Sequence, residues 1–166
     1  DVTVSSGIAR VPGPGLGMVC ADFDGDRWPD IFCADDAEQN RLWINQRNGE
    51  FKEEATQRGI ADNAMGKPQA DMGIALGDVN GDGVDDLAVG APGDDDGSDQ
   101  SGAVWMLFMN RDGTVWKHQK ISRTQGGLVG PMPPSPELGQ RVANLGDISG
   151  NGLNNMGIAS PGDDAD

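Results

Sequence analysis

Two acidic nonapeptides constrain this chain more than any other feature. Asp22-Phe-Asp24-Gly-Asp26-Arg-Trp28-Pro-Asp30 and Asp78-Val-Asn80-Gly-Asp82-Gly-Val84-Asp-Asp86 both put oxygen-bearing side chains at positions 1, 3, 5 and 9. Short apolar runs flank each of them, so each reads as the tip of a β-hairpin. Oxygens at that spacing, with the backbone carbonyl of position 7 (Trp28 or Val84), wrap a hard cation such as Ca²⁺. A third copy, Asp147-Ile-Ser149-Gly-Asn151-Gly-Leu153-Asn-Asn155, keeps the shape but only one carboxylate. It reads as a weak site, a loop held chiefly by Asn and Ser side-chain hydrogen bonds.

The loops recur with a period. Asp22 to Asp78 is 56 residues (78 − 22), and Asp78 to Asp147 is 69 (147 − 78). Ala91-Pro92-Gly93-Asp94-Asp95 returns as Ser160-Pro161-Gly162-Asp163-Asp164, and Asp1-Val-Thr3 with Gly7-Ile8 is echoed by Glu54-Ala-Thr56 with Gly59-Ile60. Around the loops the chain reads as antiparallel meanders. The first has strands at Gly17–Ala21, Ile31–Ala34, Arg41–Asn45 and Phe51–Ala55, with an Asn48-Gly49 turn. The second has Gly73–Gly77, Leu87–Gly90, Ala103–Met109 and Thr114–Ile121, with an Asp112-Gly113 turn. Asn-Gly and Asp-Gly between apolar runs favour two-residue hairpins because both central positions need positive φ. The third unit shows only Val142–Leu145 and Met156–Ala159. Four-stranded units repeated at this length predict an all-β chain of β-propeller blades. A β-sandwich with acidic turns would explain the strands but not the offsets. The expected division is a leading strand in 1–14 (its strand at Asp1–Val4), blade one at 15–70, blade two at 71–130 and a partial third blade at 131–166.

Composition agrees with many tight turns: the chain has 26 Gly and 10 Pro among 166 residues. Its formal net charge of −15 argues against nucleic acid, whose phosphates demand clustered Lys and Arg. No apolar run approaches the roughly 18 residues of a membrane span. Any signal peptide would have been lost already, since the chain opens at Asp1. Cys20 and Cys33 flank the first loop, either as a cross-strand disulfide or as two small core residues. Asp94-Asp95-Asp96 reads as a solvated loop tip rather than a cation site, because its acids lack a wrapping spacing. Tryptophans 28, 43, 105 and 116 are expected to pack between blades.

At these residues the chain resembles the FG-GAP and VCBS repeat families, best known from the head of integrin α subunits. Leu76-Gly-Asp-Val-Asn-Gly-Asp-Gly-Val-Asp-Asp-Leu-Ala-Val-Gly-Ala-Pro92 carries the signature nearly intact. The stretch after it is similar to tandem repeats of large bacterial surface proteins. The first unit, with Trp28-Pro-Asp30 and Asn40-Arg-Leu-Trp-Ile-Asn45, looks more like the ASPIC-type branch. The resemblance implies propeller blades with Ca²⁺ bound in the hairpin loops and an extracellular or cell-surface setting.

Ligand charge ranks the loops. Loop one offers Asp22, Asp24, Asp26 and Asp30; loop two offers Asp78, Asp82 and Asp86 with Asn80. Arg27 is a flaw in loop one, because it stands where loop two has Gly83 and positive φ is expected. The lone His118 is expected at the surface, and no catalytic constellation appears, so the expectation is a non-enzyme. Two functions remain. One is a structural or adhesive calcium-braced repeat, completed by further blades of a parent protein or by other copies, head to tail, in rings or filaments. In that arrangement the Asp1–Val4 strand of one copy would fill the open edge of another's third unit. The other is a recognition module binding a protein or glycan through the loops at Asp94–Ser101 and Gly126–Pro136, or else a non-catalytic domain of a larger secreted protein.

Overall fold

The computed structural model describes residues 2–97, 99–129 and 137–160. It is almost wholly β. Strands β1 (Gly15–Ala21), β2 (Asp30–Asp35), β3 (Arg41–Asn45) and β4 (Phe51–Glu53) form one four-stranded sheet in sequence order. Strands β5 (Ile74–Gly77), β6 (Asp86–Ala91), β7 (Ala103–Met109) and β8 (Val115–Ser122) form a second, also in order. Strands β9 (Arg141–Asn144) and β10 (Met156–Ala159) make a hairpin. All pairings within these sheets are antiparallel, the arrangement of propeller blades. Each acidic nonapeptide closes the first hairpin of its unit.

The sheets stack, and the core lies between them. Phe32, Leu42 and Ile44 of the first sheet meet Leu87, Val89, Trp105 and Leu107 of the second in one apolar layer. Alternation sends Ala75, Ala88, Val104, Met106 and Phe108 to the opposite face, where Val142, Met156 and Ile158 cover them. The second sheet is therefore covered on both faces, and every residue of β6 and β7 is buried. The outer face of the first sheet is not so covered: Leu16 is 50% and Met18 68% exposed.

Backbone meets backbone where the innermost strands approach. A Cβ on Gly90 would lie 1.8 Å from the Gly139 carbonyl oxygen, and one on Gly73 2.6 Å from it. One seam earlier, a Cβ on Gly17 would lie 2.5 Å from the Met72 carbonyl oxygen. Gly17 and Gly73 occupy equivalent places in their sheets, so the repeat extends to the contacts between sheets.

The N-terminus departs from expectation. Residues 3–6 form turns rather than a leading strand, and Ile8–Arg10 a short 3-10 helix. The Val2/Val4 alternation mimics a strand, but Ser5 and Ser6 hydroxyls donate to the carbonyls of Val2 and Thr3. The Ser6 N–H also donates to the Val2 carbonyl, so local bonds win the backbone from any ladder. Val2 and Val4 stay exposed. The head-to-tail assembly by strand donation from Asp1–Val4 thereby loses its donor strand, Asp1 itself lying outside the described residues. The echo at Glu54–Ile60 has a related explanation. Ala55–Arg58 is one helical turn (α1), ended by Gly59 at φ 75°, and Gly7 likewise takes φ 84°. The repeated Gly-Ile marks a left-handed cap, not a strand.

Cys20 and Cys33 are free thiols, Cys20 exposed and Cys33 buried. Cys20 pairs with Ile31 and Met18 with Cys33, so the cysteines are diagonal neighbours rather than opposite partners. Diagonal residues stand roughly 7–8 Å apart, too far for an unstrained disulfide. Trp105 packs between the sheets as expected; Trp43 is buried on the other face of the first sheet, and Trp28 and Trp116 are about half exposed. The Pro-rich segment 130–136 and most of Ser160–Asp164 lie outside the described residues.

Candidate metal centre

The sequence of each loop dictates a fold in which carboxylates gather the backbone. In loop one the first aspartate caps the turn: Asp22 accepts from the N–H of Asp26 (2.9 Å) and of Arg27 (2.8 Å). In loop two Asp78 accepts from Gly81 (2.6 Å) and Gly83 (2.9 Å); in loop three Asp147 accepts from Gly150 and Gly152 (both 2.7 Å). Position 5 then takes the N–H of position 7. Trp28 donates to Asp26, Val84 to Asp82 and Leu153 to Asn151. Position 3 is occupied alike by Asp24 and Asn80, which accept from the N–H of position 5. Ser149 instead donates its hydroxyl to Asp147 at 3.3 Å.

Position 9 ties the loop into its sheet. Asp30 and Asp86 are fully buried. Asp30 accepts from Phe23 N–H (2.9 Å) with one oxygen and from Asn45 N–H (2.8 Å) on β3 with the other. Asp86 repeats this with Val79 (3.3 Å) and Met109 (3.1 Å) on β7. Two acceptor oxygens are needed for that double role. Asn155 has one, which takes the Ile148 N–H at 3.1 Å.

In loop one, oxygens of Asp22, Asp24 and Asp30 all lie within 4.8 Å of one another. Among the described residues it is the one place where three or more acidic, His or Cys groups converge so closely. Burial, then the charge of Asp26, pushes the Asp24 carboxyl above its ordinary range, and burial does the same to Asp30 and Asp86. Asp26 is lowered instead, first by the Trp28 N–H and then by Arg47, which grips it at 2.6 Å. At Asp78 the N–H groups of Gly81 and Gly83 outweigh burial and lower the carboxyl; at Asp147 the Gly152 N–H does so. An all-oxygen donor set crowded this way fits a hard divalent cation.

Arg27 does adopt the left-handed conformation, at φ 72°, where Gly83 has 78° and Gly152 85°. Sequence reasoning missed two arginines. Arg47 reaches Asp26 across the sheet, and Arg58 stands 3.7 Å from Asp24 while bonding Glu54 and the Asp112 carbonyl. Arg47 stands next to the Asn48-Gly49 turn, the one local signal for it, whereas Arg58, on α1, has none.

The Asp94–Asp96 segment is not a solvated tip. Asp94 is 9% exposed, and Lys120 from β8 reaches it at 2.8 Å and Asp96 at 3.3 Å. Ser122 and Thr124 hydroxyls also donate to Asp96. These acids brace the β6–β7 connection against β8.

Known sequences resemble this chain. The FG-GAP-like repeat profile matches residues 22–89 and the FG-GAP repeat profile residues 72–107. Integrin alpha-3 of Cricetulus griseus is 33% identical over 88 residues, 53% of this chain and 8% of that protein. Integrin alpha-PS2 of Drosophila melanogaster is 29% identical over 157 residues, 90% of this chain and 10% of the relative. Integrin alpha-6 of Homo sapiens is 31% identical over 91 residues, 55% of this chain and 7% of its own. The chain thus spans a tenth or less of the length of these curated relatives.

Proposed function

Because the chain belongs to the FG-GAP repeat family, we propose that it is a non-catalytic, extracellular segment of a calcium-braced β-propeller with a structural or adhesive role. The observation that carries this reading is the convergence of Asp22, Asp24 and Asp30 within 4.8 Å at a hairpin tip. In this reading loop one holds Ca²⁺ through Asp22, Asp24, Asp26, Asp30 and the Trp28 carbonyl. Loop two holds it through Asp78, Asn80, Asp82, Asp86 and the Val84 carbonyl. The third loop, with Asp147, Ser149, Asn151, Leu153 and Asn155, is the weakest, because one carboxylate offers little charge. Bound cations supply the counter-charge that burial denies Asp24, Asp30 and Asp86 and lock each hairpin to its sheet. The exposed apolar face at Leu16 and Met18 is where a further blade stacks, supplied by a longer chain or a second copy.

Thermal unfolding of the chain with Ca²⁺ and with chelator tests the role of the metal. A cation that binds only the folded chain stabilises it by about 2.7 kcal/mol at a hundredfold excess over Kd. The expected result is a melting temperature that climbs with Ca²⁺ and a smaller climb for Asp22→Asn or Asp78→Asn. An unchanged melting temperature across the titration would overturn the proposal.

A further inference from the structure

The connection between the first two sheets carries an acidic pair that the hairpin loops do not account for. A cavity of about 10 Å³ lies there, room for a single water-sized occupant. Asp62, Asp71, Asn63 and Gln69 line it, with the apolar side chains of Ile60 and Val89. Asp71 is 6% exposed; Asn40 Nδ2 donates to its Oδ2 at 2.6 Å, while its Oδ1 is buried and unpartnered among the described residues. Asp62 repeats the pattern. Gln39 Nε2 donates to its Oδ2 at 2.8 Å, and its Oδ1 is likewise buried without a described partner. No Lys, Arg or His lines the cavity. Arg41, on β3, is already engaged by both oxygens of Asp35.

A buried and a half-buried carboxylate, each with one buried spare oxygen, and no cationic side chain at the cavity form an incomplete charge arrangement. We propose that this cavity is a cation site separate from the hairpin loops, in which one divalent cation bridges Asp62 and Asp71. The two residues stand at the start and the end of the segment joining the first sheet to the second, so the cation closes that segment and fixes one sheet against the next. Carboxylate and amide oxygens are the donors that Ca²⁺ takes. The state of Asp71 agrees: burial raises its carboxyl to about 6, the Asn40 hydrogen bond opposing and the charge of Asp35 adding. A cation supplies the missing counter-charge.

Native mass spectrometry of the whole chain in Ca²⁺ counts the ions, and Tb³⁺ reports their place. Trp105 lines the same cavity, its indole N–H donating to Gln69 Oε1 at 2.6 Å, so Tb³⁺ bound there emits on indole excitation. The expected result is that Asp71→Asn and Asp62→Asn each bind one Ca²⁺ fewer than wild type and lose the Trp105 component of the indole-excited emission, keeping the component from loop one, where Trp28 stands beside the ion. Asp22→Asn and Asp78→Asn, altered only in the loops, should retain that emission component. If Asp71→Asn fails to fold, the half-buried Asp62 carries the test alone. An unchanged ion count and emission in the folded Asp62 or Asp71 variant overturns the proposal and leaves the cavity to a water or a shared proton. That outcome leaves the hairpin sites untouched, because they are read from their own variants.

Discussion

Arg27 shows how a single residue departs from the repeat without breaking it. It keeps the loop geometry at φ 72° and donates its N–H to Asp22, as Gly83 does to Asp78. An L-residue pays roughly 1–2 kcal/mol in that conformation, and glycine returns about 0.5–1 of it as extra freedom in the unfolded chain. Arg27→Gly is therefore expected to raise stability by about 0.5 kcal/mol, read from the urea midpoint with calcium held constant. Gly90 lies at the other extreme. Its neighbour at 1.8 Å is a backbone carbonyl, which cannot rotate aside as a side chain could. Gly90→Ala should cost about 1–3 kcal/mol or more by overpacking, with the same midpoint as readout.

At the scale of elements, the hairpins and strands were legible because their determinants are local. Acidic tips, Asn-Gly and Asp-Gly turns and period-two apolar runs mark β1 to β10 to within a few residues. What was not legible depended on partners distant in sequence. Val2 and Val4 alternate like a strand, but hydroxyls from Ser5 and Ser6 decide otherwise. The Asp94–Asp96 run looks solvated until β8 brings Lys120 to it across 26 residues. The candidate loop was legible as a ligand pattern, whereas Arg47 and Arg58 beside it were not, since residues distant in sequence, the end of β3 and the turn α1, bring them there. That Asp96 brace has a pH signature. Thr124 and Ser122 hydroxyls, then Lys120, lower its carboxyl from 3.8 to about 2. The folded chain thus binds fewer protons there than the unfolded chain between those values, so the contribution is complete above pH 4 and fades as pH falls through 2. Asp96→Asn should show a flatter loss of stability with acid across that window than wild type, measured by denaturant titration at each pH.

Over the whole molecule, protection is graded by how many neighbours a sheet has. The second sheet lies between the first sheet and the β9–β10 hairpin, and β6 and β7 are buried throughout. The hairpin has two strands and one covered face, so it opens at the lowest cost. Amide hydrogen exchange should find β9 and β10 the first strands to exchange and β6 and β7 the last, with β1 faster than β6 on account of its exposed outer face.

The seams also fix an angle. Near β1 and β5 the first two sheets touch at Gly17, while farther out the same gap is filled by Leu42, Leu107 and Trp105; the next seam closes at Gly73 and Gly90 on Gly139 and is filled farther out by Val104, Met106 and Phe108. Each unit is consequently tapered, thin at one edge and thick at the other, like the stones of an arch. The difference in side-chain volume across one seam sets the tilt of the next unit, and the tilt sets how many units come round to meet. Were such units to close into a ring, residue size along the seams, with no metal involved, would set its circumference.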